Sequence, residues 1–202
     1  MGTKRGDMGE GILAGFLGRL RRRNGAQHRS LFVHEDDWGQ IEVLPAACAG
    51  WCTHEMARIR AFSAAQVVPD GGGWREIYVR ETPPLGLADL ALPLATITSG
   101  LEQRLPAFDE ITSGTFSKAR RVSRVKAFGL GQGAAIVITP DDGATQVATV
   151  HLLLDGAPQA RKEILSAAAA LPTEEPLVLV DWPRARLFAL SDPYALERYV
   201  RS

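Results

Sequence analysis

Cysteine is scarce in this chain of 202 residues, which contains only Cys48 and Cys52. Two cysteines four residues apart do not make a disulfide framework, and their spacing to His54 matches no common zinc motif. We therefore interpret both as small buried apolar residues and expect a reducing, cytoplasmic location. No cofactor and no metal ligand set is assigned to the chain.

Net charge and long apolar runs are lacking as well. The chain has 23 basic and 23 acidic residues, so it lacks the overall positive field of a dedicated nucleic-acid binder. It has no run of about 18 apolar residues, which argues against a membrane-spanning helix. Because 46% of its residues are hydrophobic, it can bury a core and fold without a structural metal.

The charges are unevenly distributed along the chain. The net charge is +5 over residues 1–29, −5 over 30–99, +3 over 100–126 and −3 over 127–202. Blocks of opposite sign favour the association of a basic segment with an acidic surface. The pattern predicts a protein partner, which is either a second copy or a second protein, and gives no strong nucleic-acid signal.

Residues 1–28 form a predicted N-terminal unit with an amphipathic basic helix over 10–22. Its apolar residues recur at helical spacing, and the partner-binding candidates Arg21, Arg22 and Arg23 follow near its end. We expect this helix to dock on protein, with peripheral membrane contact through 10–22 as the alternative. The rest, 29–202, is predicted to be a single α+β domain with sub-halves at 29–92 and 120–202.

Short strands and helices alternate through residues 29–202. The first half predicts a β-hairpin from 31–34 and 40–44, a helix over 46–66 and a strand over 74–81. The second half predicts strands and helices over 134–139, 146–154, 158–170, 177–181, 186–190 and the C-terminus. The fold class is therefore α+β, with a largely antiparallel or mixed sheet built from two hairpin-helix-strand units and helices mainly on one face.

The densest polar cluster lies on the predicted hairpin turn. It consists of His34, Glu35, Asp36, Asp37 and Trp38, and His54 follows on the next helix. An imidazole beside carboxylates can bind a divalent cation, which would suit a metal-dependent hydrolase. Turns also collect acidic residues because these cap the backbone and are well solvated, and this structural interpretation carries more weight here.

An Asp-Trp dipeptide occurs twice, at Asp37-Trp38 and at Asp181-Trp182, each at a predicted turn. An aspartate that caps a turn beside a tryptophan that anchors the core explains both. The alternative is that the two corners line one ligand cleft.

The segment 118–126 is the most basic of the chain and includes Arg120, Arg121 and Arg124 as partner-binding candidates. It is flanked by aromatic residues but lacks the interleaved pattern of a base-stacking platform. We interpret it as a solvated edge strand protected by charge, with nucleic-acid contact as the alternative. The glycines of 129–134 resemble a dinucleotide fingerprint, but a strand follows them where that motif requires a helix, and we expect a flexible connection.

Taken together, these features favour a non-catalytic cytoplasmic protein-interaction protein, of which a bacterial toxin-neutralising immunity protein is one instance. No assembled catalytic motif is present, and the uneven charge suits steered association. The two alternatives are a metal-dependent hydrolase that uses His34–Asp37 and a nucleic-acid-binding regulator that acts through 118–126.

Overall fold

The computed structural model of the chain describes residues 28–66, 76–115 and 117–201. The helix predicted over 10–22, with Arg21, Arg22 and Arg23, lies outside these residues and stays a prediction.

The described residues form an α+β fold with two β-sheets. The strands in chain order are β1 (Ser30–His34), β2 (Ile41–Pro45), β3 (Glu110–Thr115), β4 (Lys118–Arg121), β5 (Lys126–Gly131), β6 (Ala134–Pro140), β7 (Val147–Leu154), β8 (Leu177–Asp181) and β9 (Arg186–Ala189). The larger sheet is antiparallel and has the order β5-β6-β7-β2-β8-β9. Because β2 lies between β7 and β8, both sub-halves of the sequence contribute to one sheet.

The smaller sheet has the order β1-β3-β4, with β1 parallel to β3 and β3 antiparallel to β4. The predicted hairpin between 31–34 and 40–44 is therefore wrong. The 3-10 turn Glu35–Asp37 instead carries the chain from the small sheet to the large one. β1 finds its partner 80 residues further on, at Ser30 opposite Glu110, a long-range pairing that no local turn chemistry indicates.

Of the four α-helices in the described part of the chain, three pack on one face of the large sheet and one packs on the other. The helices are α1 (Ala49–Gln66), α2 (Leu94–Glu102), α3 (Pro158–Ala169) and α4 (Pro193–Val200). Ile97, Ile164 and Tyr199, from α2, α3 and α4, join one buried apolar cluster with the sheet. On the opposite face, α1 covers β2 and β8 through Cys52 and Met56.

The small sheet covers the remainder of that opposite face. Leu31 and Ile111 pack on Val137 and Leu153 of β6 and β7. Both faces are thus buried, and burying this apolar surface is the main source of stability, at roughly 25 cal/mol per Å². No helix among 28–66, 76–115 and 117–201 is long and apolar enough to cross a membrane.

Two further local predictions are wrong. The described part of the predicted strand over 74–81 joins neither sheet, because its inward side chains bond to α1 and β2 instead. The glycine-rich residues 129–134 are not a flexible connection but the end of β5 and its turn into β6. A Cβ at Gly129 would collide with the carbonyl oxygen of Ala134, so this glycine permits close strand packing.

Candidate functional site

The two Asp-Trp corners of the sequence meet at one end of the large sheet. β2 and β8 are neighbours, and Ile41 lies opposite Asp181. Asp36, Asp37 and Asp181 therefore line one cleft of about 260 Å³, which also includes Asp155 and Arg184. The aspartates of both corners lie on this cleft, as the alternative interpretation of the dipeptides proposed.

The polar turn at the rim of this cleft is held by its own contacts. The backbone N–H of Asp36 donates to Nδ1 of His34 over 3.3 Å, and His34 caps the 3-10 turn. Glu35 and Asp36 are exposed, and His54 is exposed on α1. No three His, Cys, Asp or Glu side chains of the described residues are arranged to hold a metal ion, so the structure does not gather His34, Asp36, Asp37 and His54 as a hydrolase centre would require.

Asp181 is fully buried beneath the cleft and links β8 to α4. It accepts hydrogen bonds from the Tyr199 hydroxyl over 2.6 Å, from the Arg184 backbone N–H over 3.0 Å and from the Arg184 guanidinium over 3.3 Å. Burial, reinforced by this hydrogen bond to Asp181, raises the pKa of Tyr199. With so many partners, Asp181 serves as a structural anchor of the corner.

The tryptophans of the two corners contact a second polar pair, on the opposite face of the large sheet. Glu42 of β2 lies directly opposite His151 of β7. The indole N–H of Trp182 donates to Glu42 over 2.6 Å, and the Trp38 ring meets His151 edge-on at 6.0 Å between centroids. The Trp38 N–H donates to Ser113 of β3 over 2.7 Å. The two corners therefore meet on both faces of the large sheet: their aspartates line the cleft on one face, and their tryptophans contact the Glu42–His151 pair on the other.

A third residue, Arg80, contacts the Glu42–His151 pair from a segment that belongs to neither sheet. Its guanidinium lies 3.0 Å from Glu42 and 4.2 Å from the ring centroid of Trp182. Burial raises the pKa of Glu42, and Arg80 and Trp182 oppose that rise. Burial, with a further contribution from Arg80, lowers the pKa of His151 to about 4. At neutral pH the cluster thus contains a neutral imidazole beside the Glu42 carboxyl group, which Trp182 and Arg80 contact.

Sequence reasoning missed this cluster. It placed His151 on a strand, where it is, but gave no role to Glu42 or Arg80. An acidic residue within the apolar strand 40–44 was the available signal, because a buried carboxylate requires a partner. Arg80 lies 38 residues away and outside any strand, and so only the tertiary structure identifies it.

Arg80 belongs to an extended segment, residues 76–81, which we name the strap. The strap is fixed to α1: the Tyr78 hydroxyl donates to Glu55 over 2.8 Å, as does the Glu81 N–H over 3.2 Å. The alternate side chains, Ile77 and Val79, are 89% and 83% exposed. The strap therefore presents apolar side chains outward and polar anchors inward.

A second exposed surface is the basic edge, formed by β4, the turn after it and the first residue of β5. Its cations are Lys118, Arg120, Arg121, Arg124 and Lys126, all of them exposed. None forms an ion pair within 4.0 Å with a described acidic residue. β4 pairs with β3 on one side only, so its position as an edge strand protected by charge agrees with the sequence interpretation.

The two cysteines are free thiols buried beneath α1. Burial, helped by Cys48 and Glu42, raises the pKa of Cys52 to about 12, and the Cys48 thiol donates to the Leu85 carbonyl over 3.0 Å. The raised pKa disfavours a nucleophilic role for Cys52, because the reactive form is the thiolate.

Comparison of the chain with family models, with curated proteins and with solved structures finds no significant match.

Proposed function

We propose that this chain is a non-catalytic protein-interaction protein that binds an acidic surface of a partner protein through the basic edge. The observation that carries the proposal is the set of unneutralised cations on β4 and the following turn. Five cations within nine residues repel one another, and an anionic partner relieves that repulsion and steers association. Their fixed positions on a strand favour a partner with a matching arrangement of carboxylates.

Protein fits this surface better than nucleic acid does. Single-stranded RNA and DNA are held by aromatic side chains on which bases stack. Of the two aromatic residues that flank the basic segment, Phe128 is buried in the core, and Phe116 lies outside the described residues. Phe108, also nearby, is partly buried and has the Arg29 guanidinium 4.8 Å from its ring centroid. The chain as a whole is also electrically neutral.

The geometry gives less support to a metal-dependent hydrolase. The His34–Asp37 turn bonds to its own backbone, and Asp181 in the adjoining cleft is occupied by Tyr199 and Arg184. General acid-base work requires a group that can exchange a proton with substrate. The one histidine that shares the buried cluster, His151, lies between the sheet and Trp38 and has a lowered pKa.

The proposal places the protein in the bacterial cytoplasm, since its two thiols are free and a reducing compartment keeps them so. A toxin-neutralising immunity protein is one role that this surface fits. Such an inhibitor binds a protein partner tightly through charge-complementary contacts and needs no chemistry of its own.

The test compares partner capture by the tagged full chain and by a charge-reversed variant, R120E with R121E and R124E. The matched control reverses three exposed cations on other surfaces, R104E with K162E and R198E. We expect a protein that the wild-type chain and the control variant enrich equally and that the reversed variant loses by at least about tenfold, which corresponds to 1.4 kcal/mol.

Two results would overturn the proposal. One is capture that is equal for all three chains, which would place the interface elsewhere. The other is retention of nucleic acid instead of protein, with binding of a single-stranded RNA oligonucleotide that falls steeply with salt and is lost in the reversed variant. That result would establish the nucleic-acid-binding alternative.

A further inference from the structure

The strap differs from the strands discussed above in that it has no neighbouring strand within 28–66, 76–115 and 117–201. Tyr78 and Arg80 point inward to Glu55 and Glu42, whereas Ile77 and Val79 point outward, and this period of two is that of a β-strand. No backbone N–H or C=O of residues 77–80 bonds to another described residue. The strap is thus a fixed, strand-like segment whose backbone groups at 77–80 have no partner among the described residues.

Three of the four outer edges of the two sheets, those of β1, β5 and β4, are covered or charged. The outer edge of β1 is capped by Gln132, whose side-chain amide accepts from the Phe32 N–H over 2.8 Å and donates to the Ser30 carbonyl over 2.9 Å. The edge of β5 is covered by residues 106–108, through bonds of 2.9 Å and 3.0 Å. β4 carries cations. Proteins usually protect a strand edge in such ways, and the strap has none of them.

The residues of the strap are complementary to themselves. In an antiparallel pair centred on Tyr78, Ile77 of one copy lies opposite Val79 of the other, and Glu76 lies opposite Arg80. Opposed β-branched side chains stabilise a strand pair, whereas the opposed Glu76 adds little because Arg80 is already paired with Glu42. A pair centred one half-step along the chain would instead place Glu76 opposite Glu81, and these like charges repel.

We propose that the strap is a dimerisation strand: two copies of this chain pair their straps antiparallel about a two-fold axis through Tyr78, with Ile77 of each copy packed on Val79 of the other. Strand addition satisfies the free backbone groups, and its two-fold symmetry closes the assembly at two copies. The bonds to Glu55 and Glu42 hold the strap in the paired conformation beforehand, so little chain entropy is lost on association. The proposal stands on the strap alone and does not depend on the basic edge.

The pair is short, so we expect a weak and reversible dimer. Sedimentation equilibrium of the full chain from about 10 µM to about 1 mM should show a mass that rises from one copy towards two, as for small interfaces. V79P replaces the β-branched side chain that packs on Ile77 and removes a backbone N–H from the strap, and it should leave the chain monomeric. L130T, at another exposed apolar residue, is the matched control and should dimerise as the wild type does.

Introduced cysteines test the register. Opposed residues of an antiparallel pair have Cα atoms about 4.5–5.5 Å apart, which suits a disulfide. Under mild oxidation, a mixture of I77C and V79C chains should form a mixed disulfide faster than either chain alone does. Both positions are exposed, so the variants should keep the fold, and an unchanged melting temperature checks this.

Three outcomes would overturn the proposal. They are a chain that stays monomeric to about 1 mM, far above the range of specific dimers, self-association that V79P does not weaken, and crosslinking of I77C to itself in preference to V79C. None of these outcomes bears on capture of an acidic partner by the basic edge, whose charge-reversed variant leaves the strap unaltered.

Discussion

Two extended segments of this protein, β4 and the strap, present exposed backbone in opposite ways. β4 belongs to a sheet, pairs on one side and carries exposed cations. The strap belongs to no sheet, is fixed by side chains to Glu42 and Glu55, and exposes Ile77 and Val79. The positive charge of β4 disfavours pairing with a further strand and attracts anions. The strap exposes apolar side chains instead, and these favour pairing with another strand.

Comparing β4 with the strap also distinguishes side chains that stabilise the fold from side chains that are available to bind a partner. The inward side chains of the strap reach a buried cluster, so they contribute to folding. Those of β4 reach solvent, so they contribute to charge and little to the free energy of unfolding. The following expectations test that division, beginning with the largest effect.

Arg80→Leu should destabilise the protein by about 3 kcal/mol, because it leaves Glu42 buried without its ionic partner. The free energy of unfolding in urea measures this loss. Arg104→Leu, at an exposed cation outside the strap, is the control and should change the stability little. A loss of under about 1 kcal/mol for Arg80→Leu would show that the strap is not anchored through this pair.

Acid should destabilise the protein through His151, which lies against Trp38 and near Arg80 of the strap. Its pKa is lowered from 6.5 to about 4 in the folded state, so the unfolded chain takes up a proton first as the pH falls. Stability from this group is therefore complete above about pH 6.5 and is lost by about pH 4, a change of roughly 3 kcal/mol.

The measurement is the free energy of unfolding between pH 7 and pH 4 for the wild type and for His151→Gln. The difference between the two slopes isolates His151, since Glu42, whose raised pKa acts in the opposite direction, is present in both chains. Equal slopes would mean that His151 is protonated as readily in the folded protein as in the unfolded chain.

Trp38→Phe should cost about 1 kcal/mol, because Ser113 loses the hydrogen bond that ties the turn after β1 to β3. Ser113→Ala removes the same bond from the other side. If the bond matters, the double variant should lose less than the sum of the two single losses. Additive losses would show that Trp38 acts by packing alone.

Arg120→Ser with Arg121→Ser should change the free energy of unfolding by no more than about 0.5 kcal/mol, since both side chains are exposed and unpaired among the described residues. The same variant should weaken capture of the acidic partner. A large loss of stability would contradict the division between the two regions.

Much of the fold was predictable from local pattern. The predicted second-half strands and helices match β6, β7, β8, β9 and α3 closely, because each combines a regular apolar period with a turn or cap signal. The element predicted at the C-terminus is α4, where Asp192 accepts from the Tyr194 and Ala195 N–H groups. The α+β class is likewise confirmed.

The candidate site was predictable only in part. The Asp-Trp corners are visible in the sequence, yet nothing local indicates that Asp37 and Asp181 share a cleft or that Trp38 and Trp182 contact one polar pair. The hairpin prediction was wrong for a related reason. Turn chemistry indicates that a strand ends near residue 36. It does not indicate that β1 pairs with β3 and not with β2, the strand that follows the turn.

The sequence by itself determined where most strands and helices lie and which segment is basic, because these follow from neighbours a few residues apart. Only the tertiary structure decided that β1 pairs with β3, that Arg80 lies against Glu42, that Ile77 and Val79 are exposed, and that no described strand lies beside the strap. Those features depend on contacts between residues tens of positions apart, and such contacts are selected by the burial and hydrogen bonding of the whole chain.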